Sequence, residues 1–345
     1  MQPKKRQAYL DALRIVAIMC VIFNHSGVRG FFLYTQTDNL LIQVISIFVS
    51  SFCKIGVPLF FMISGALLID KEESLKDLYL KRVLRFVIIL FVFSFMRYFY
   101  FYRHGHYQFA INEFVRMIST NQIYMPYWFL YTYLAFLICL PFIRRLAHAL
   151  KDIEFIYLFI LYVVMGGIFG ILARTVIGQI ALSVPVTADI IMYPLLGYFI
   201  VNRLPKEKDT LINWLLLFMM SVIGLFLNVF ITEYDYHAFG GWNESGLSLF
   251  IIFPAAATFW GVKMFFDKVK MNAALEKFIC TLGSCTFGVY LLEGYVKDYF
   301  GFIQSYMALV IPGSIASLLY LFCILFIGAA ITYVLKKIPV IRKLL

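Results

Sequence analysis

Apolar runs of about eighteen residues or more recur from one end of this 345-residue chain to the other. A run of that length crosses the hydrocarbon core of a bilayer, roughly 30 Å thick, as a single α-helix. Apolar residues make up 62% of the chain and charged residues 14%. Soluble globular domains carry about 45–50% and about 25%. The length alone would accommodate two soluble domains, but no long polar block interrupts the apolar pattern. The reading is an all-α integral membrane protein with a single transmembrane domain over residues 1–345. About ten spanning helices are expected, at roughly 9–28, 52–69, 83–102, 125–143, 155–173, 186–201, 211–232, 247–265, 278–296 and 314–335. The stretch 40–52 is apolar too and reads as an interfacial or re-entrant helix.

The net charge of +11 raises the question of a nucleic-acid partner. The basic residues fall between apolar runs, on alternating sides, and form no basic face with the aromatic interleaving of a nucleic-acid module. No nucleic-acid partner is therefore expected. With the N-terminus taken as cytoplasmic, the inner segments hold 22 Lys and Arg and the outer ones 7, the latter including Arg29, Lys54, Arg97 and Lys297. This bias and an even helix count place both termini in the cytoplasm. Lys4-Lys5-Arg6 before the first run resembles a signal peptide, but the run lacks a small-x-small cleavage site and is too long, so it reads as the first span. None of the six cysteines pair as C-x-x-C, and they read as small apolar packing residues.

The outer loops are rich in aromatic residues, among them Tyr98, Tyr100, Tyr102, Tyr107, Tyr124, Tyr127, Trp128, Tyr234, Tyr236 and Trp242. An interfacial belt explains most of these. Sugar binding is the other reading, since aromatic faces together with Glu233, Asp235 and Glu244 suit a carbohydrate.

The first span, LDALRIVAIMCVIFNHSG, carries the most informative polar residues. Arg14 and His25 are 11 residues apart. At about 100° per residue they share one face of a helix, separated by about 16 Å. A charge inside a span costs about 2.5–3.5 kcal/mol on insertion scales unless it faces a bundle interior or reaches the interface. Arg14 either snorkels or pairs with Asp11 one turn away, or else holds an anionic donor at the inner mouth. His25 either donates to a carbonyl near the outer interface or stands deeper in a channel as a reactive imidazole.

Arg14 through His25 resembles the R-x10-H signature of the membrane-bound acyltransferase-3 superfamily. Four further segments agree in order. GVPLFFMISGALL (56–68) resembles the second-span motif, and Lys81-Arg82-Val83-Leu84-Arg85 the cytoplasmic R-x-x-R. PYWFLYTYLAFLICLPFIRRL (126–146) resembles the W-F-L span of the surface-polysaccharide O-acetyltransferase branch, and SCTFGVYLLEG (284–294) the late G-x-Y-L-x-H motif.

The resemblance implies an O-acetyltransferase of the bacterial cytoplasmic membrane, with acetyl-CoA as acyl donor and no metal. The implied acceptor is a hydroxyl of a surface glycan or lipid-linked sugar. His25 is then the general base, or else carries the acyl group itself. Arg82 and Arg85, three apart and on one helix face, suit the phosphates of CoA, and topology-setting positive charge is the plainer reading. Glu293 stands where the family usually has His. It either orients His25 or pairs with Lys297 four residues on. Asp189 and Asn228 are weaker polar candidates, while His104 and His106 in an outer loop lack a third metal ligand. Ser64 and Gly65 read as helix-packing residues. The rival function is a transporter or flippase that exports a glycan or acylated sugar without chemistry, to which intramembrane Arg, His and Glu are equally suited.

Overall fold

The computed structural model describes residues 7–106, 108–310 and 313–345. Lys4, Lys5, Arg6 and Tyr107 lie outside the described residues. Every regular element among the described residues is helical: α1 Ala8–Asn24, α2 Leu40–Cys53, α3 Gly56–Leu68, α4 Leu75–Leu78, α5 Leu84–Arg103, α6 Ile111–Ser119, α7 Trp128–Ala149, α8 Asp152–Tyr162, α9 Phe169–Leu172, α10 Asp189–Tyr198, α11 Leu211–Phe239, α12 Ile252–Lys268, α13 Ala273–Val310, α14 Gly313–Leu335 and α15 Pro339–Leu344. Short π-helical turns join several of these, including Tyr79–Val83 before α5 and Phe199–Arg203 after α10.

Seven helical stretches among the described residues have the length and apolarity to cross a membrane: Leu40–Leu68, Met125–Ala149, Asp152–Ile177, Leu211–Phe239, Glu244–Lys268, Ala273–Met307 and Ile315–Leu335. The chain is a multi-pass membrane protein. The first of these stretches revises the reading of 40–52. α2 is no separate interfacial piece; it continues into α3 with only a turn at Lys54–Ile55, as one apolar helix of 29 residues. α1, α5 and α10 pack between these stretches.

The helices approach closely where glycine removes the side chain. A Cβ on Gly65 would lie 2.0 Å from the Pro194 carbonyl oxygen, and one on Gly197 the same distance from that of Met62. Small residues let backbones meet where lipid offers no hydrophobic drive for association. The reciprocal contact, with Asn202 Nδ2 donating to Asp70 Oδ2 at 2.5 Å, sets α3 and α10 side by side and parallel. α1 runs antiparallel to α3: Gly56 meets Ala17 and Val21, and Asn24 Nδ2 donates to the Cys53 carbonyl at 3.1 Å. α13 lies parallel to α1: Gly283 admits Asp11 to within 2.5 Å of where a Cβ would stand, and further along both helices Glu293 meets His25. α3 therefore runs between α1 and α10.

Candidate active site

His25 occupies the C-terminal cap of α1, its N–H bonded to the carbonyls of Val21 and Ile22. Gly27, at φ +67°, turns the chain away directly afterwards, in a conformation that a side chain would strain. The imidazole is thus held at a helix end. From the Gly283–Asp11 contact, α13 runs beside α1 for ten more residues and delivers Glu293. Its carboxylate sits 3.0 and 3.1 Å from His25 Nδ1 and is 1% exposed. Lys297, one turn on, reaches Glu293 Oε1 at 2.5 Å and donates to the His25 carbonyl at 2.7 Å. Glu293 therefore contacts both His25 and Lys297. Tyr290 Oη donating to the Pro126 carbonyl (2.7 Å) and Tyr127 Oη to that of Leu291 (3.1 Å) fix this part of α13 against the start of α7.

His25 and Arg14 line one cavity of about 810 Å³. Val57, Phe60, Ser64 and Leu67 line it from α3, at the spacing of one helix face, so the cavity follows that helix for most of its length. Arg14 is anchored by Asp11, 2.6 Å away and fully buried, yet still faces the cavity. Midway stands Tyr133, whose hydroxyl is 3.0 Å from that of Ser64 and whose ring stacks on Phe86 at 4.6 Å. At one end are Arg82 and Arg85.

Arg82 Nε donates to both oxygens of Glu73, at 3.0 and 3.1 Å, and Arg144 reaches the same carboxylate at 3.0 Å. Burial alone would raise the pKa of Glu73. The hydrogen bonds from Arg144 and Arg82, with the charges of Arg82 and Lys71, outweigh it and hold the carboxyl below the usual range. Arg85 donates to the Leu344 carbonyl at 3.2 Å, while its Nε is buried with no acceptor. A buried guanidinium N–H without a partner has capacity left for an anion. At the opposite end, Lys54 and Glu244 form a 3.0 Å pair, and Lys54 lies over the Phe31 ring at 4.6 Å.

The sequence matches the Acyl_transf_3 family model, described as an acyltransferase domain, over residues 7–337. The chain belongs to the acyltransferase-3 family. No curated protein and no solved structure matches it. This membrane acyltransferase thus brings His25, Arg14, Arg82 and Arg85 to one cavity, with Glu293 behind the histidine.

Other candidates from the sequence fall elsewhere. Asn228 is fully buried and ties Ser51 Oγ (2.9 Å) and the Leu247 carbonyl (3.0 Å) together, a joint between helices. Asp235 is 1% exposed and paired with Arg174, so it does not face a sugar in solution. Arg97, an outer-segment charge by sequence, is not a free surface cation. It is 4% exposed, bonds Asp298 at 2.6 Å and lies against the rings of Tyr100, Phe101, Tyr124 and Tyr295. It is a buried tie between α5 and α13. His104 contacts the Tyr100 carbonyl at 2.8 Å and His106 is exposed. Several polar cavity groups are not marked as site residues by the sequence, among them Lys54, Tyr133, Tyr162 and Tyr193. Lys54 had a sequence signal, a lone cation between two apolar runs, whereas Tyr162, which bonds Asp189, had none.

Proposed function

We propose that this acyltransferase moves an acetyl or similar acyl group from acyl-CoA to a hydroxyl of a surface polysaccharide or lipid-linked sugar, in the bacterial cytoplasmic membrane. The observation that carries the reading is the His25–Glu293 pair in the wall of a cavity that continues to Arg82 and Arg85. In this account both termini face the cytosol and the chain crosses about ten times, as the 22-to-7 bias of basic residues supports. The Arg85 end then opens toward CoA. Arg82, Arg85 and Arg14 are the groups for its phosphates, for which guanidinium forks are suited.

Glu293 accepts a hydrogen bond from Nδ1–H, and the Nε2 lone pair is free to act as base. Nε2 takes the proton of the acceptor hydroxyl as its oxygen attacks the thioester carbonyl. The C–S bond breaks, and the same proton passes from Nε2 to the departing thiolate. Positioned proton transfer of this kind contributes typically 10²–10⁴-fold. The same free Nε2 would serve a route in which His25 first carries the acyl group, and the Glu293 contact at Nδ1 suits both routes.

Reconstituted protein supplied with radiolabelled acetyl-CoA and a panel of lipid-linked sugars tests the reading. Label should reach a sugar, and His25→Ala should abolish transfer while acetyl-CoA still binds. If label never moves and unmodified glycan crosses the bilayer equally well with His25→Ala, export without chemistry takes its place.

A further inference from the structure

The charges around the cavity are unevenly distributed. At one end Arg85 has no carboxylate partner among the described residues, and Arg82 shares the single carboxylate of Glu73 with Arg144, so that end keeps a positive charge, whereas Arg14 part-way along is paired with Asp11. Towards the other end Lys54 and Glu244 neutralise each other, and the remaining acid is Asp189. Asp189 opens α10 and forms no ion pair among the described residues. Tyr162 Oη donates to its Oδ1 at 2.7 Å, and the Tyr193 hydroxyl lies 3.1 Å from that of Tyr162. All three side chains line the cavity.

The helix contacts give the depth of Asp189. α10 runs parallel to α3 with Pro194 and Gly197 beside Met62 and Gly65. Five residues before Pro194, Asp189 lies level with the first turn of α3. The bond from Asn24 to the Cys53 carbonyl brings the end of α1, and so His25, to the same end. Asp189 and His25 thus face one space from opposite sides of α3.

We propose that Asp189, braced by Tyr162 and Tyr193, is the acceptor subsite, holding hydroxyls of an uncharged sugar ring so that another hydroxyl meets His25. An ionised carboxylate is an acceptor only, suited to two hydroxyl donors at once. One oxygen is braced by Tyr162 and the other remains for the ligand. The same charge repels phosphate, and among the described residues no cation pairs with Asp189 to offset it. A polyphosphate donor is drawn to the arginines, while the group that reaches His25 is a neutral, hydroxyl-rich ring. The phosphate-bearing part of any lipid-linked acceptor stays outside this half of the cavity. The inference rests on the acyl-transfer reading and adds the class of acceptor and its anchor.

The test uses the full chain in nanodiscs, with radiolabelled acetyl-CoA and two acceptor panels: neutral methyl glycosides and the matching sugar 1-phosphates. Acetyl-CoA binding is measured first, without acceptor. Label should pass to at least one neutral glycoside and more slowly to its phosphate. Asp189→Asn should raise the glycoside KM about tenfold or more, as expected for losing a charged hydrogen-bond acceptor, with acetyl-CoA affinity unchanged. Tyr162→Phe should raise it less. Asp189→Lys should move the preference toward the sugar phosphate.

An unchanged KM in Asp189→Asn, a wild-type preference for phosphates, or no transfer to any neutral glycoside while acetyl-CoA binds overturns the subsite. Failure to bind acetyl-CoA at all instead removes the donor reading beneath it. Size-exclusion profiles matching wild type exclude misfolding of the variants.

Discussion

At the scale of single residues, the site is a short chain of contacts from Lys297 through Glu293 to His25. Lys297 grips both the carboxylate and the carbonyl that ends α1, so it fixes the ring and its partner together. A cation at a helix C-terminus also opposes the dipole there. Glu293→Gln keeps the shape but removes the charge that holds Nδ1–H. Turnover should fall on the order of 10²- to 10⁴-fold with acetyl-CoA affinity unchanged, read from initial transfer rates beside a binding titration. Equal losses in rate and donor affinity would mean a collapsed site instead. The Arg14–His25 alignment was legible in the sequence because both lie on one helix, where about 100° per residue fixes the face. The His25–Glu293 contact joins residues 268 apart. Periodicity within one span carries no information about that. The burial of Arg97 is hidden for the same reason: Asp298, which allows its charge to be buried, is 201 residues away.

The elements that shape the cavity depend on a few close crossings. Gly65→Ala would drive a methyl group into the Pro194 carbonyl and push α10 from α3. Backbone cannot yield as a flexible side chain does, so the loss should be about 1–3 kcal/mol or more. Gly166→Ala, with nothing within 4 Å, is the control. Thermal unfolding in detergent should show a lower midpoint for the first and an unchanged one for the second. The loop before α4 depends on Glu73, shared by Arg82 and Arg144. Its folded pKa lies below the unfolded value. Its contribution is therefore complete above the ordinary carboxylate range and fades as pH falls through the depressed value. Glu73→Gln should melt below wild type at about pH 7, and the gap should close as the pH falls below the ordinary carboxylate range. A gap that widens in acid would contradict the assigned role. The helices themselves were legible from apolar runs. The continuity of α2 with α3 and the π-helical turns were not, because neither changes the apolar pattern.

For the whole molecule, direction is the property that joins fold to function. The cavity runs from the end of α1 that holds His25 toward Arg85, and its two ends differ in charge. Sidedness follows if the basic end is cytosolic, because a CoA donor must then be accepted from that face alone. Lys277, exposed at the start of α13, marks the Arg85 end, and Met125, 78% exposed before α7, marks the other. With the six free native cysteines replaced, a single cysteine is placed at Lys277 or Met125. In sealed, oriented proteoliposomes an impermeant maleimide should label Met125→Cys from one side. Lys277→Cys should be labelled only from the opposite side or after permeabilisation. Acetyl-CoA supplied on the Lys277 face should support transfer, and the same donor confined to the Met125 face should not. Labelling of both positions from one side would break the proposed topology. Donor use from the Met125 face would reverse the direction of transfer while leaving the His25–Glu293 chemistry intact, which separates the two claims.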